Sequence, residues 1–329
     1  MELFMNHKKF SLGLILSFIS LIALVWFLSW AMPEKRYLND DYPFLRQQKD
    51  HVLQDSDIQE TIILGDSRTK MGILANELGN NTHNLALSGA SSIEMYYTLS
   101  KYLAHHPQPK AIVLSLAPEH FSSIGTYPFG SAYLQYFTKN ELDEINEFIL
   151  AYDNKDFRTT TAWFYYRTPN VYMWPVLKAI FRPRTKAFNE VYAEAERTHG
   201  FMPGKKETNK TQVIAPETKE DGFHLDPVTD IYMKKILELG IERHIPIYVI
   251  QMPMGQEGHK ILTESGYLHA YADYMQSLEQ AYGIRIQKDV PVYKNEYFCD
   301  DSHLNRKGAE IFTQNLKEDY PEIFKSSER

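Results

Sequence analysis

The chain begins with one long apolar block and then turns to short apolar runs separated by helical periodicities. Residues 11–31, SLGLILSFISLIALVWFLSWA, carry no charge, and about 20 apolar residues suffice to span a bilayer as a helix. His7, Lys8 and Lys9 precede the block, and Glu34, Lys35 and Arg36 follow it. The short N-terminal flank favours a cytoplasmic N-terminus and an extracytoplasmic bulk. A cleaved signal peptide is the competing reading. It calls for a shorter apolar core and a small-x-small cleavage site, which Ser29-Trp30-Ala31 supplies poorly. The expectation is therefore an uncleaved single-pass anchor over 1–31. A polar juxtamembrane spacer over 32–60 follows, with Pro33, Pro43 and some helix at 44–55.

From residue 61 the pattern predicts strands alternating with helices. Thr61–Leu64, Asn84–Leu87, Ala111–Leu116, Ile245–Gln251 and the weaker Ile284–Ile286 are apolar without alternation, as strands buried on both faces are. Between them, Ser91-Ser92-Ile93-Glu94 has the form of a capping box and opens a helix over 92–104. Residues 228–243 carry Ile231, Met233, Ile236, Leu237 and Ile241 at helical spacing, and Asn305 can cap a last helix near 305–318. This rhythm predicts an α/β fold, a parallel sheet covered by helices on both faces.

Residues 121–226 break the rhythm. They hold the aromatic clusters Ala162–Tyr166 and Val171–Trp174 and a polar stretch, Gly204–Glu220, which reads as a mobile loop. The region reads as a mostly helical insertion. Its aromatics either pack inward or face a membrane or partner.

Composition narrows the function classes. The chain has 329 residues and a net charge of −7 with no long basic block, which argues against a nucleic-acid partner. Cys299 is the one cysteine, so no intramolecular disulfide and no CxxC metal motif can form. No metal or cofactor is expected.

The candidate chemistry starts at Ile62-Ile63-Leu64-Gly65-Asp66-Ser67-Arg68. Ligands of open α/β sheets lie outside the carboxyl ends of strands, and Ser67 stands at such an end. A serine hydroxyl needs a nearby base to become a nucleophile. Of twelve histidines, His303 is the candidate, because Asp300 lies three residues upstream in a loop before the last helix. A carboxylate at that spacing can turn back on the imidazole, fix its tautomer and stabilise the imidazolium. The other histidines carry no matching pattern, and His105-His106 read as surface. Arg68 and Lys70 flank the serine. They either pair with local acids such as Asp66 or Glu119, or recognise an anionic substrate. Cys299 reads as a packed thiol.

Gly65-Asp66-Ser67 after a buried strand, Gly89 after a second strand and Asp300-x-x-His303 near the C-terminus together resemble the SGNH/GDSL hydrolase superfamily. The resemblance covers 61–118 and 245–318. It implies a flavodoxin-like three-layer α/β/α sandwich over 61–329, with the insertion inside it. It also implies that Ser67 is nucleophile, His303 base and Asp300 its partner, with the amides of Ser67 and Gly89 facing the oxyanion. Gly89 lies between a strand end and a helix start, where amides point outward. One departure stands out. The family's third oxyanion donor is an asparagine in a Gly-x-Asn-Asp block, whereas this chain has Leu116-Ala117-Pro118-Glu119-His120. Either His120 donates instead or no third donor exists, and losing one such donor costs about 10²–10³ in rate.

An anchor joined to this domain is similar to membrane-tethered members of bacterial envelopes, such as the D-alanyl-lipoteichoic-acid assembly and alginate O-acetylation proteins. That likeness implies a membrane-bound O-acyltransferase as partner, an extracytoplasmic glycan or acylated polymer as substrate, and Ser67 transiently acylated. The alternative is an idle fold kept as a binding or scaffolding subunit.

Overall fold

The computed structural model describes residues 2–54, 60–79, 81–203 and 222–324. Its main sheet contains β1 (Thr61–Gly65), β2 (Thr82–Asn84), β3 (Ala111–Ser115), β4 (Ile247–Val249) and, after the short β5 (Met254–Gly255), β6 (Arg285–Ile286). The spatial order is β2–β1–β3–β4–β6, with every pair parallel. With β6 as the fifth strand, this is the doubly wound 2-1-3-4-5 order of flavodoxin-like sheets. β5 pairs apart from it, with β7 (Val292–Tyr293).

The strand sequences are apolar throughout because helices cover both faces. Ile62, Leu64, Ile112, Leu114, Ile247 and Val249 pack with residues of the helices Ser92–His105, Pro227–Glu242 and Tyr267–Tyr282. Ile63, Ala111 and Val113 point the other way, onto Leu78, Ala309, Phe312 and Leu316 of the helices Ala75–Leu78 and Arg306–Asp319. Alternate residues of one strand thus serve two cores, the period-2 geometry of a pleated strand.

The local signals act where expected. Ser91 Oγ accepts from the Ile93 amide, and the Glu94 carboxylate accepts from the Ser91 amide. Asn305 Oδ1 accepts from the Gly308 amide at 3.0 Å. The second strand differs from its expected bounds. Its ladder ends at Asn84, whose side chain bends back to the Ala86 amide and to the carbonyls of Thr69 and Ile73. Leu85 and Leu87 still donate to the carbonyls of Ile63 and Gly65, so the NLAL run follows β1 after the regular strand stops.

The insertion contributes the helices Lys139–Asp153, Arg158–Tyr165, Pro169–Phe181 and Thr185–Arg197. Phe164, Tyr172 and Val176 form a separate core with Tyr127, Phe137 and Ile145. The stretch Gly204–Glu220, read as a mobile loop, lies outside the described residues.

The segment after the apolar block is built into the domain. Tyr37, Leu38, Tyr42 and Leu45 join the insertion core, and the helix Tyr42–Leu53 packs on the sheet domain. Its pattern hid this because Gln47 and Gln48 are buried, and Gln48 donates to the Asn84 carbonyl. The apolar block itself lies in the helix Glu2–Ala31. Its His7–Ala31 part is long and apolar enough to cross a membrane.

His106 corrects the surface reading. It is buried, and its Nε2 lies 3.0 Å from the Val52 carbonyl oxygen. With His51, His83 and His199 it forms a stacked group, the His51 and His83 rings 3.8 Å apart. Burial, with the neighbouring imidazoles, pulls His51 down to about 4 and His83 well below its usual value. The unfolded chain then binds more protons than the fold once pH drops below about 6.5, the ordinary histidine value. Stability should therefore fall with acidification, most steeply from there toward pH 4, by up to about 1.4 kcal/mol per unit per histidine. Melting of the full chain in detergent against pH checks this. His83→Phe should flatten the slope, and an unchanged slope would count against the cluster.

Candidate active site

The order of the sheet reverses around β1, which lies between β2 and β3, and such a switch point opens a crevice at the strand carboxyl ends. Ser67 is the first residue of the helix Ser67–Gly72 that leaves β1 at this point. Gly65 permits the exit: a Cβ there would stand 2.3 Å from Thr69 Oγ1 and 2.4 Å from the Ser115 carbonyl oxygen.

The structure brings the three expected residues together across 236 positions of chain. His303 Nε2 lies 2.7 Å from Ser67 Oγ, and His303 Nδ1 lies 2.9 Å from each Asp300 oxygen. The Phe298–Leu304 bridge and the Cys299 amide bonded to the His303 carbonyl shape the loop that makes this possible. Asp300 Oδ1 also accepts from the amides of Ser302 and His303. Burial would raise the Asp300 pKa, but the His303 hydrogen bond and these amides outweigh it and hold it at about 2. Asp300 is therefore ionised at any physiological pH. With the His303 proton on Nδ1, that nitrogen donates to Asp300 and Nε2 is placed to accept from the serine hydroxyl.

Asp66 is a part of the motif whose task the sequence reading did not identify. It is fully buried and caps the Ser67 helix, accepting from the amides of Arg68 and Thr69. Its second oxygen accepts from the Ala117 amide at 2.9 Å and meets His120 Nδ1 at 3.1 Å. Burial would raise its pKa, but His120, Arg68 and the Ala117 amide together hold it well below the usual carboxylate range. In return, Asp66 outweighs the effect of burial on His120 and raises that pKa. One carboxylate thus ties the Ser67 turn to the turn after β3.

The Arg68 guanidinium is ion-paired with Glu119. Lys70 is buried, donates to Ser88 Oγ and lies over the Phe44 ring, and burial pulls it down to about 8 against the opposing pull of Asp41. Cys299 is buried, which pushes its thiol up to about 11, so it is no nucleophile.

Gly89 adopts φ +64° between β2 and the Ser92 helix. Its carbonyl accepts from the Thr126 amide and hydroxyl, so the insertion sets its peptide plane. Its amide has no place in the backbone hydrogen bonding of the described residues. Beside Gly89 opens a cavity of about 290 Å³, lined by Lys70, Ser88, Phe44 and Asp41 and, from the insertion, by Phe129 and Leu134. It has room for roughly ten waters at their liquid volume. A Cβ at Gly89 would lie 2.5 Å from Thr126 Cγ2 and would hold a left-handed φ. Gly89→Ala should therefore lower the melting temperature and, if the Gly89 amide binds an oxyanion, ester turnover by about 10²-fold. Full turnover in that variant would show that the glycine's position is unimportant.

No protein-family model matches the chain, and no curated protein matches it. Among solved structures, one likeness is to a Bacteroides fragilis NCTC 9343 protein described as a "putative acylhydrolase". It is 10% identical, and the match covers 85% of this chain and 95% of that one at a TM-score of 0.37. A likeness at that level carries no argument.

Proposed function

We propose that the chain is a membrane-anchored SGNH-type serine acyl-ester hydrolase or O-acyltransferase working through an acyl-Ser67 intermediate. The observation that carries this is the contact of His303 Nε2 with Ser67 Oγ at 2.7 Å, backed by Asp300. Ser67 Oγ attacks the acyl carbonyl carbon as its proton passes to His303 Nε2, and Asp300 stabilises the imidazolium. The amides of Ser67 and Gly89 face the oxyanion. Collapse re-forms the carbonyl and breaks the bond between the acyl carbon and the ester alkoxy oxygen, and His303 returns the proton to the departing alcohol. A water or sugar hydroxyl then gives its proton to His303 and attacks the acyl carbon; the acyl–Oγ bond breaks, and His303 returns the proton to Ser67 Oγ.

The neighbourhood of the site favours slow or assisted turnover. In this proposal two backbone donors serve the oxyanion, and the turn after β3 offers no asparagine beside them but Glu119 paired with Arg68. That pairing also favours the second reading, a scaffold whose triad does not turn over. The helix His7–Ala31 supports a single-pass anchor. In this proposal the N-terminus is cytoplasmic, the domain extracytoplasmic, the substrate an envelope glycan or acylated polymer, and the partner a membrane-bound O-acyltransferase.

The test is acid quenching of the full chain in detergent after mixing with p-nitrophenyl acetate, followed by peptide mass spectrometry. An acetyl group on the Ser67 peptide, absent in Ser67→Ala, is the expected result. A folded chain that stays unacylated would favour the scaffold.

A further inference from the structure

We infer that the turn and helix over Trp163–Phe181 form a second membrane-contact element, seated in the headgroup and acyl boundary beside the anchor and facing anionic lipid.

The inference starts from a join at the end of the apolar helix. Trp26 Nε1 donates to the Tyr166 carbonyl, Ser29 Oγ donates to the Arg167 carbonyl, and Arg167 lies over the Trp30 ring. The helix Pro169–Phe181 packs against the same end of Glu2–Ala31. A span of 25 residues, His7–Ala31, is about 37 Å long at 1.5 Å per residue, and exceeds the hydrocarbon core of about 30 Å. Whatever is bonded to Trp26 and Ser29 therefore lies at the edge of the bilayer. Just beyond, Glu34, Arg46 and Asp50 form an ion-paired cluster that marks the aqueous side.

The side chains of this element suit that depth. Trp163 and Tyr165 at the end of the helix Arg158–Tyr165 and Tyr166 just after it are exposed, and Trp174 and Phe181 on the next helix are 72% and 82% exposed. Water is a poor solvent for such a face, whereas aromatic belts sit at the membrane interface. Charge points the same way. Positions 163–184 hold four basic residues and no acidic one in a chain of net charge −7. Arg167 and Arg184 pair with Glu34 and Asp40, but Lys178 and Arg182 make no ion pair among the described residues. A lysine beside exposed aromatics can lay its stem along the apolar face and reach the lipid phosphates. Continuity with the spanning helix selects a bilayer over a second protein as occupant. Two contacts would fix the tilt of the domain and the height of the Ser67 crevice above the lipid.

The test places a nitroxide on Tyr166→Cys and on Trp174→Cys of the full chain in phosphatidylcholine–phosphatidylglycerol liposomes. Lys260→Cys, on an exposed helix, serves as reference, and the buried Cys299 of the parent controls for background labelling. The expected result is an oxygen-to-nickel-chelate collision ratio several-fold higher at 166 and 174 than at 260. A ratio equal to that at 260 would overturn the inference by placing the face in water. Shielding from both reagents would overturn it by showing a protein cover. Two separate sites keep the test valid if one variant folds poorly.

Discussion

Ser67→Ala and His303→Ala should each lower ester hydrolysis by at least about 10³-fold while leaving the melting temperature nearly unchanged. Ser67 is half-buried at the helix start, and His303 sits on a surface loop, so neither change opens a core cavity. The two losses should not add, because attack and proton transfer are one event. The double variant should match the worse single one within a few-fold. Asp300→Asn should cost less. The Asp300 side chain is 51% exposed, so water partly replaces its stabilisation of the imidazolium. Steady-state kinetics with p-nitrophenyl acetate measures all four. Additive losses in the double variant would mean that Ser67 and His303 do not act on the same proton.

Asp66→Ala should produce the largest loss of stability for a single polar side chain. It removes the acceptor of the Arg68, Thr69 and Ala117 amides and the carboxylate facing half-buried His120. Breaking one partner out of a buried charged network costs about 3–5 kcal/mol. In a domain of this size that corresponds to a melting temperature lower by about 10 °C. Activity should fall with it even where the variant is folded, since the Ser67 turn loses its cap. Asp66→Asn, which keeps one acceptor oxygen, should fall between the two. Differential scanning fluorimetry of the full chain in detergent gives both values. A melting point within error of the parent for Asp66→Ala would refute the view of Asp66 as the hub of the turn.

The sheet was legible because its burial is written residue by residue. Ile62 and Leu64 serve one face and Ile63 the other, so the run had to be apolar throughout. The Asp300 to His303 spacing was legible for a similar reason: a local loop makes the contact without help from distant chain. Partnerships formed over long separations were not. Nothing local pairs Lys70 with Ser88, or Asp66 with Ala117 and His120, and nothing in Thr126 announces that it orients Gly89. The helix Tyr42–Leu53 was legible as a helix but not as core, because Gln47 and Gln48 occupy its buried face. Asn84 shortens β2 through side-chain bonds that a hydropathy pattern does not register. The Met254–Gly255 and Val292–Tyr293 pair is too short to leave a periodic signal.

The account stands on Ser67 being an activated nucleophile. The most direct test is to expose the full chain in detergent to a serine-reactive fluorophosphonate and map the adduct by mass spectrometry. Ser67→Ala and His303→Ala serve as parallel samples. The account predicts one adduct, on Ser67, absent from both variants. No adduct on a folded parent chain, or equal labelling of Ser67 in the His303→Ala variant, would contradict it.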